Sequence, residues 1–304
     1  MSSEISNNIL NSIIYYDILS YPLTAFEVWK HLLAEKSFTL GEVIEELDSY
    51  KLKGRIEEFR GFYFLKGRRD LVGRRIQRDK NSIVKFAIAE RVARWLRFVP
   101  FVRMVAVTGT LAMKNCEKNS DIDFFVVLEK GRIFTGRLLV TALVHLLGKR
   151  RYGKNIKNRI CLNYFVATES LRIERQDLFA ANEYSFIYPL FGLDVFEDFC
   201  ETNLDWIKKF KPNWEIPYIE PARYCVEHSI FSSDLQKLSG VLINRLWGDR
   251  LESWLGQKQI ARIRRNPLTK KEGAYIEATE ENLIFLPVPQ GVRIEEEWQR
   301  RIKS

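Results

Sequence analysis

Residues 105–127 read Val-Ala-Val-Thr-Gly-Thr-Leu-Ala-Met-Lys-Asn-Cys-Glu-Lys-Asn-Ser-Asp-Ile-Asp-Phe-Phe-Val-Val. An apolar run ends at Gly109-Thr110, and Asp121-Ile122-Asp123 opens a second apolar run. Short apolar runs bounded by turn residues read as strands buried on both faces. The spacing therefore predicts strands over 102–107 and 122–128, with a short helical turn over 111–115 between them. Gly109 lets the backbone approach an anion closely. Thr110 adds a hydroxyl, and the free N–H groups that open the turn behind it suit an anion. Asp121 and Asp123 are two apart on a strand, so both side chains point to one face. Two carboxylates on one face make an oxygen-donor site of the kind that holds Mg²⁺.

Before this stretch the pattern is helical. Ile9, Leu10, Ile13, Ile14 and Ile18 fall at helical spacing, so 6–19 reads as a helix broken at Ser20-Tyr21-Pro22. Thr24 caps a second helix over 25–34. Thr39 with Glu42 forms a capping box for a third, which reaches Tyr50. Residues 55–58 and 61–65 then read as a hairpin around Arg60-Gly61. Three helices and a hairpin in about 60 residues is the pattern of a winged helix, a unit that often places its third helix in a DNA major groove. Here that helix carries Glu42, Glu45, Glu46 and Asp48 and no basic residue. Phosphates would repel it, so a structural or protein-contact role is expected.

The charge balance changes near Gly67. Residues 1–68 hold eight basic and ten acidic residues, whereas 69–104 hold ten basic and three acidic. The second stretch is either a solvated arginine-rich helix face or a surface that meets phosphates, with Arg74, Arg75, Arg78 and Lys80 foremost. A helix is expected from Asn81 or Ser82 to Phe98, burying Ile83, Phe86, Ala87, Val92 and Trp95 and closed by Pro100. After the second strand come a helix over 134–147 and a third strand over 159–167. Helices follow over 177–188, 193–209, 223–238 and 240–255. Residues 258–271 are basic and broken at Pro267, 283–288 is a strand or an extended tail, and 295–302 is a final helix. The division expected is 1–68, 69–190 and 191–304. The class is α+β: an N-terminal winged helix, a small mixed-sheet domain and a helical C-terminal region.

Gly109, Thr110, Asp121, Ile122, Asp123 and Phe124 resemble, in order and spacing, the signature of the polymerase-beta-like nucleotidyltransferase superfamily, with Thr110 in place of the usual Ser. The resemblance covers about residues 85–190. Together with the N-terminal winged helix, it looks like a group of bacterial nucleotidyltransferase-domain proteins. It implies a nucleotidyltransferase domain in which Gly109 and Thr110 hold the β and γ phosphates of ATP or another nucleoside triphosphate. Asp121 and Asp123 would hold Mg²⁺, two ions if the site is catalytic. The family's third carboxylate sits on a later neighbouring strand, where this chain has Asn163, and an amide cannot accept a proton at neutral pH. Asn163 is then either a nucleotide contact or a buried amide bonded to backbone. Of Glu169, Glu174 and Glu183 downstream, Glu183 is the preferred substitute, because a following helix can lean over the sheet edge. Arg137, at the start of an apolar helix, is a candidate triphosphate contact. Lys149-Arg150-Arg151 reads as a solvated helix C-terminus, and His31, His145 and His228 read as packed rather than catalytic.

The whole chain has 304 residues, 46% hydrophobic and 29% charged, with a net charge of +9. Such a composition excludes a disordered chain or a fibrous rod. The best apolar run, 138–147, is too short for a membrane span. Cys116, Cys161, Cys200 and Cys225 are scattered and fit buried reduced thiols in a cytoplasmic protein. Two functions are expected. One is an enzyme that passes a nucleotidyl group from Mg²⁺-NTP to an acceptor. The other is a non-catalytic nucleotide-binding or regulatory protein with a degenerate site, acting through its winged helix on DNA or a partner protein. Nucleic acid remains a candidate partner, though not through the acidic third helix.

Overall fold

The computed structural model describes residues 2–217, 224–227, 230–246 and 248–303. The chain opens with α1 (Ser2–Ile18), then β1 (Leu23–Thr24), α2 (Ala25–Lys30), α3 (Leu40–Leu47), β2 (Ile56–Phe59) and β3 (Phe62–Leu65). β1, β3 and β2 form an antiparallel three-stranded sheet in that order. The capping box of Thr39 with Glu42 forms as expected, and Thr24, read as a cap, makes a second box with Glu27. Glu46 is not on the outer face of α3. It is buried and accepts hydrogen bonds from Ser6 and Ser49, leaving Glu45 and Asp48 exposed.

α4 (Asp70–Leu96) starts a dozen residues earlier than its pattern suggested. Phe86 and Val92 are buried as expected, but Ile83, Ala87 and Trp95 are exposed. The buried stripe instead runs through Ser82, Lys85, Phe86, Ala89, Val92, Ala93 and Leu96. Two of its arginines join parts of the chain, while Arg74 and Arg94 pair within the helix. Arg75 pairs with Glu27 at 2.8 Å and lies over the Tyr21 ring, and Arg78 reaches Asn115, Glu117 and the Ser20 carbonyl. Arg75 is therefore withdrawn from any phosphate surface, a correction to the sequence reading.

The main sheet has six strands in the order β7-β4-β5-β6-β9-β8. They are β4 (Val102–Val107), β5 (Ile122–Leu128), β6 (Ile160–Ala167), β7 (Tyr188–Phe191), β8 (Tyr275–Ala278) and β9 (Asn282–Leu286). Only β5 and β6 run parallel; the other neighbours are antiparallel. The remaining helices are α5 (Gly109–Ala112), α6 (Ile133–Leu146), α7 (Leu178–Ser185), α8 (Leu193–Phe210), α9 (Ile230–Leu246), α10 (Gly248–Arg265) and α11 (Gly291–Ile302), with a 3₁₀ turn at Pro267–Lys270. Alternation along β5 sends Ile122, Phe124 and Val126 into the layer under α4 and α6. It sends Phe125 and Val127 into the layer under α7 and α8, beside Phe199 and Trp206.

The region 191–304 is more than helical, since it adds β8 and β9 to the sheet. β7 was also not foreseen; it falls where a helix over 177–188 was expected to end. The break between α9 and α10 comes near Gly248 rather than at Ser239. The C-terminus returns to the N-terminal helices: Trp298 Nε1 donates to the Asn11 carbonyl, and Arg301 pairs with Asp17 at 2.8 Å. The core of the N-terminal unit includes Met113, Leu178 and Ile294 from the rest of the chain. The described helices and strands make the chain α+β. No helix of the described residues is long and apolar enough to cross a membrane.

Candidate functional site

Gly109 has φ +64°, and a Cβ there would lie 3.2 Å from Asp123 Oδ2. A side chain is thus disfavoured twice, by the left-handed backbone and by the close approach of the acid. Thr108 N donates to the Asp123 carbonyl at 3.1 Å, which ties the end of β4 to the start of β5. The Asp121 end is fixed by a buried lysine. Lys85 Nζ donates to the Ser120 carbonyl at 2.6 Å and to Asn158 Oδ1 at 2.9 Å, and Ile122 N donates to the Arg159 carbonyl.

Asp121 and Asp123 do come together. Their carboxylates and the Cys161 thiol each offer an atom within 4.8 Å of the other two. Cys161 lies across from Asp123 in the parallel β5–β6 pair. The register then slips by one residue, so that Phe125 faces Tyr164. That irregularity falls at Leu162 and Asn163. The residue facing Asp123 on the third strand is therefore Cys161, one that motif spacing missed. Arg151, assigned by sequence to a solvated run, sits on the same cluster: its Nη1 is 2.5 Å from Asp121 Oδ2 and 3.3 Å from Cys161 Sγ. The chain after α6 is led there by backbone pairing of Lys149 and Arg151 with Ile160.

Burial and the neighbouring Asp121 carboxylate push Asp123 up to about 7. Burial also pushes Cys161 up to about 12, with the two aspartates adding to the effect. Glu183 lies on α7, the helix covering the sheet face that carries Phe125. Burial raises its carboxyl to about 7, and Asp123 is the foremost charge adding to that rise. No ion pair or side-chain hydrogen bond among the described residues engages the Glu183 carboxyl. Asn163 is half-buried on β6.

Thr110 is exposed, its hydroxyl 3.7 Å from Cys116 Sγ. With Ser120 it lines a cleft of about 780 Å³ whose other walls hold both signs of charge: Arg78, Arg293 and Arg300 against Glu117, Glu296 and Glu297. Arg137 stands apart from the acids. Its Nη1 donates to Gln259 Oε1 at 2.6 Å and its guanidinium lies 5.7 Å from the Phe165 ring centre. Burial, then Arg150 and Arg262, bring it down to about 10.

His31 is buried against Phe186, His145 is exposed, and His228 lies outside the described residues. Cys116, Cys161 and Cys200 are buried, Cys225 is partly so, and all four are free thiols. Comparison with protein-family models, with curated proteins and with solved structures finds no match.

Proposed function

We propose that the chain is a metal-dependent nucleotidyltransferase that draws on a nucleoside triphosphate. The observation that carries this reading is the convergence of Asp121 and Asp123 at the mouth of β5, against the glycine of Gly109-Thr110. Mg²⁺ is commonly held by one or two carboxylates, with waters and substrate phosphates completing the shell. The two aspartates fit that pattern, and Cys161 beside them is a softer neighbour that an oxygen-seeking ion would leave aside. Asp121 and Asp123 would hold the ion, which when bound supplies charge to offset that of the phosphates. Thr110 offers its hydroxyl to a phosphate lying in the cleft. Arg151, now on Asp121, would be displaced from the carboxylate and free to meet a phosphate oxygen. Glu183, raised to about 7, is suited to take a proton from an attacking hydroxyl near neutral pH.

The three helices and three-stranded sheet of residues 2–65 support a winged-helix reading of the N-terminal unit, and the acidic, exposed Glu45 and Asp48 support its use in contacts other than DNA readout. A second reading, a non-catalytic nucleotide-binding or regulatory protein, is favoured by Cys161 standing where a third acid would face Asp123. Incubation with each α-labelled nucleoside triphosphate and Mg²⁺ separates the two. Label transfer or pyrophosphate release supports the enzyme. Binding without either product supports the second reading, and no binding rejects both.

A further inference from the structure

Trp254, Lys258, Arg262 and Arg265 recur along α10 at spacings of four, four and three, and all four are exposed. At 3.6 residues per turn they share an arc of about 80° and span roughly 16 Å of helix. Arg250 extends the stripe one turn further back. Lys258, Arg262 and Arg265 wall a cleft of about 580 Å³, with Gln257 and Asn266 and without an acidic residue. Among the described residues, none of the three cations has an ion pair or a side-chain hydrogen bond, and Trp254 is without a ring partner. From Lys258 to Lys271 the chain carries six basic residues and no acidic one. A helix C-terminus favours cations in its last turn. That does not account for Lys258, nearly two turns earlier, or for a tryptophan left in water. Arg262 also lies near Arg137 of α6, a largely buried guanidinium that Arg150 approaches as well.

We propose that this face of α10 binds single-stranded nucleic acid, with the three cations on successive phosphates and Trp254 stacked on an unpaired base. Aromatic platforms beside cationic grooves hold single strands in this way, whereas a duplex keeps its bases stacked away from a lone ring. A lipid surface would call for a broad apolar face on the helix, and this stripe has one apolar side chain among cations around a concavity. The proposal stands apart from the transfer reading, because it invokes neither the acid pair nor the triphosphate.

The test is fluorescence anisotropy of a labelled, mixed-sequence single-stranded oligonucleotide with the full chain, over a series of salt concentrations. Replacing all three cations, Lys258→Gln, Arg262→Gln and Arg265→Gln, is expected to flatten the log K against log salt plot by about 0.7 per lost phosphate contact, roughly two in all. Trp254→Ala is expected to weaken binding about tenfold with the slope kept. Lys53→Gln with Arg55→Gln and Lys66→Gln, exposed cations that flank β2 and β3, should leave binding unchanged. The proposal is overturned if the parent fails to bind at low salt, or if the α10 variants bind as the parent does. It is equally overturned if the N-terminal variant loses as much, or if anionic vesicles compete fully with the oligonucleotide.

Discussion

Asp123→Asn should stabilise the protein at neutral and alkaline pH. In the folded chain burial and Asp121 hold the Asp123 carboxyl at about 7, whereas an unperturbed aspartate titrates at about 3.9. Between these values the folded chain binds more protons than the unfolded one. Stability therefore falls as pH rises from about 4 to about 7, and stays reduced above it. A displacement of roughly three pH units at about 1.4 kcal/mol each sets an upper bound near 4 kcal/mol. Part of this is offset by Arg151 beside Asp121 and by the incomplete burial of Asp123, so about 1–3 kcal/mol is expected. At roughly 1.5–2 °C per kcal/mol for a chain of this size, the variant should melt a few degrees above the parent at alkaline pH. The difference should close as the pH is lowered toward about 4. Differential scanning calorimetry of both proteins across that range is the assay. Equal melting temperatures at every pH, or a variant less stable throughout, would refute the reasoning.

Glu183→Gln should slow nucleotidyl transfer by about 10²–10⁴-fold while triphosphate binding persists. The parent's rate should rise with pH through about 7 as Glu183 ionises, so a flat profile in a kinetic pH series counts against it. Cys161→Asp should raise metal-dependent turnover more than Asn163→Asp, because only position 161 faces Asp123; equal effects in a label-transfer assay would show the third strand misread. In the full chain, Glu45→Ala with Asp48→Ala should leave duplex DNA binding unchanged, and a footprint lost in that variant would restore groove reading by α3. Lys211 is fully buried on Tyr16, Asn182 and Ser185, with no acid paired to it among the described residues, and burial holds its amine well below its usual range. A base lowered in this way makes stability rise with pH. Lys211→Met should therefore raise the melting temperature most at acidic pH, and a loss at every pH would show the amine to be a net stabiliser.

The strand, the Gly-Thr turn and the acid pair were legible because they depend on local rules. Val102–Val107 and Ile122–Leu128 are buried on both faces, so their apolar runs are unbroken, and two-residue alternation alone puts Asp121 and Asp123 together. The cap at Thr24 and the capping box at Thr39 were legible for the same reason. What depends on register was not. The slip between β5 and β6 moves the position facing Asp123 from Asn163 to Cys161, and a bulge has no sequence period to reveal it. Arg151 looked like one of three solvated cations until backbone pairing with Ile160 brought it to Asp121. The true start of α4 and its buried face were obscured by Arg75, Arg78 and Lys85. Charged residues of this kind read as surface positions in a sequence, yet these are wholly or largely buried by partners far off in sequence, at Glu27, Glu117 and Ser120. β8 and β9 are short strands that join the sheet from more than a hundred residues downstream of β6, a pairing that composition cannot foretell.

Asp121 and Asp123 are proposed to form the metal-dependent nucleotide site. Isothermal titration of a nucleoside triphosphate into the full chain, with Mg²⁺ and with a chelator, tests it most directly when the parent is compared with Asp121→Asn/Asp123→Asn. The account predicts Mg²⁺-dependent binding in the parent, and no such binding in a double variant that still melts cooperatively. Binding of equal affinity in the folded double variant, or binding in the parent that ignores the chelator, would contradict it.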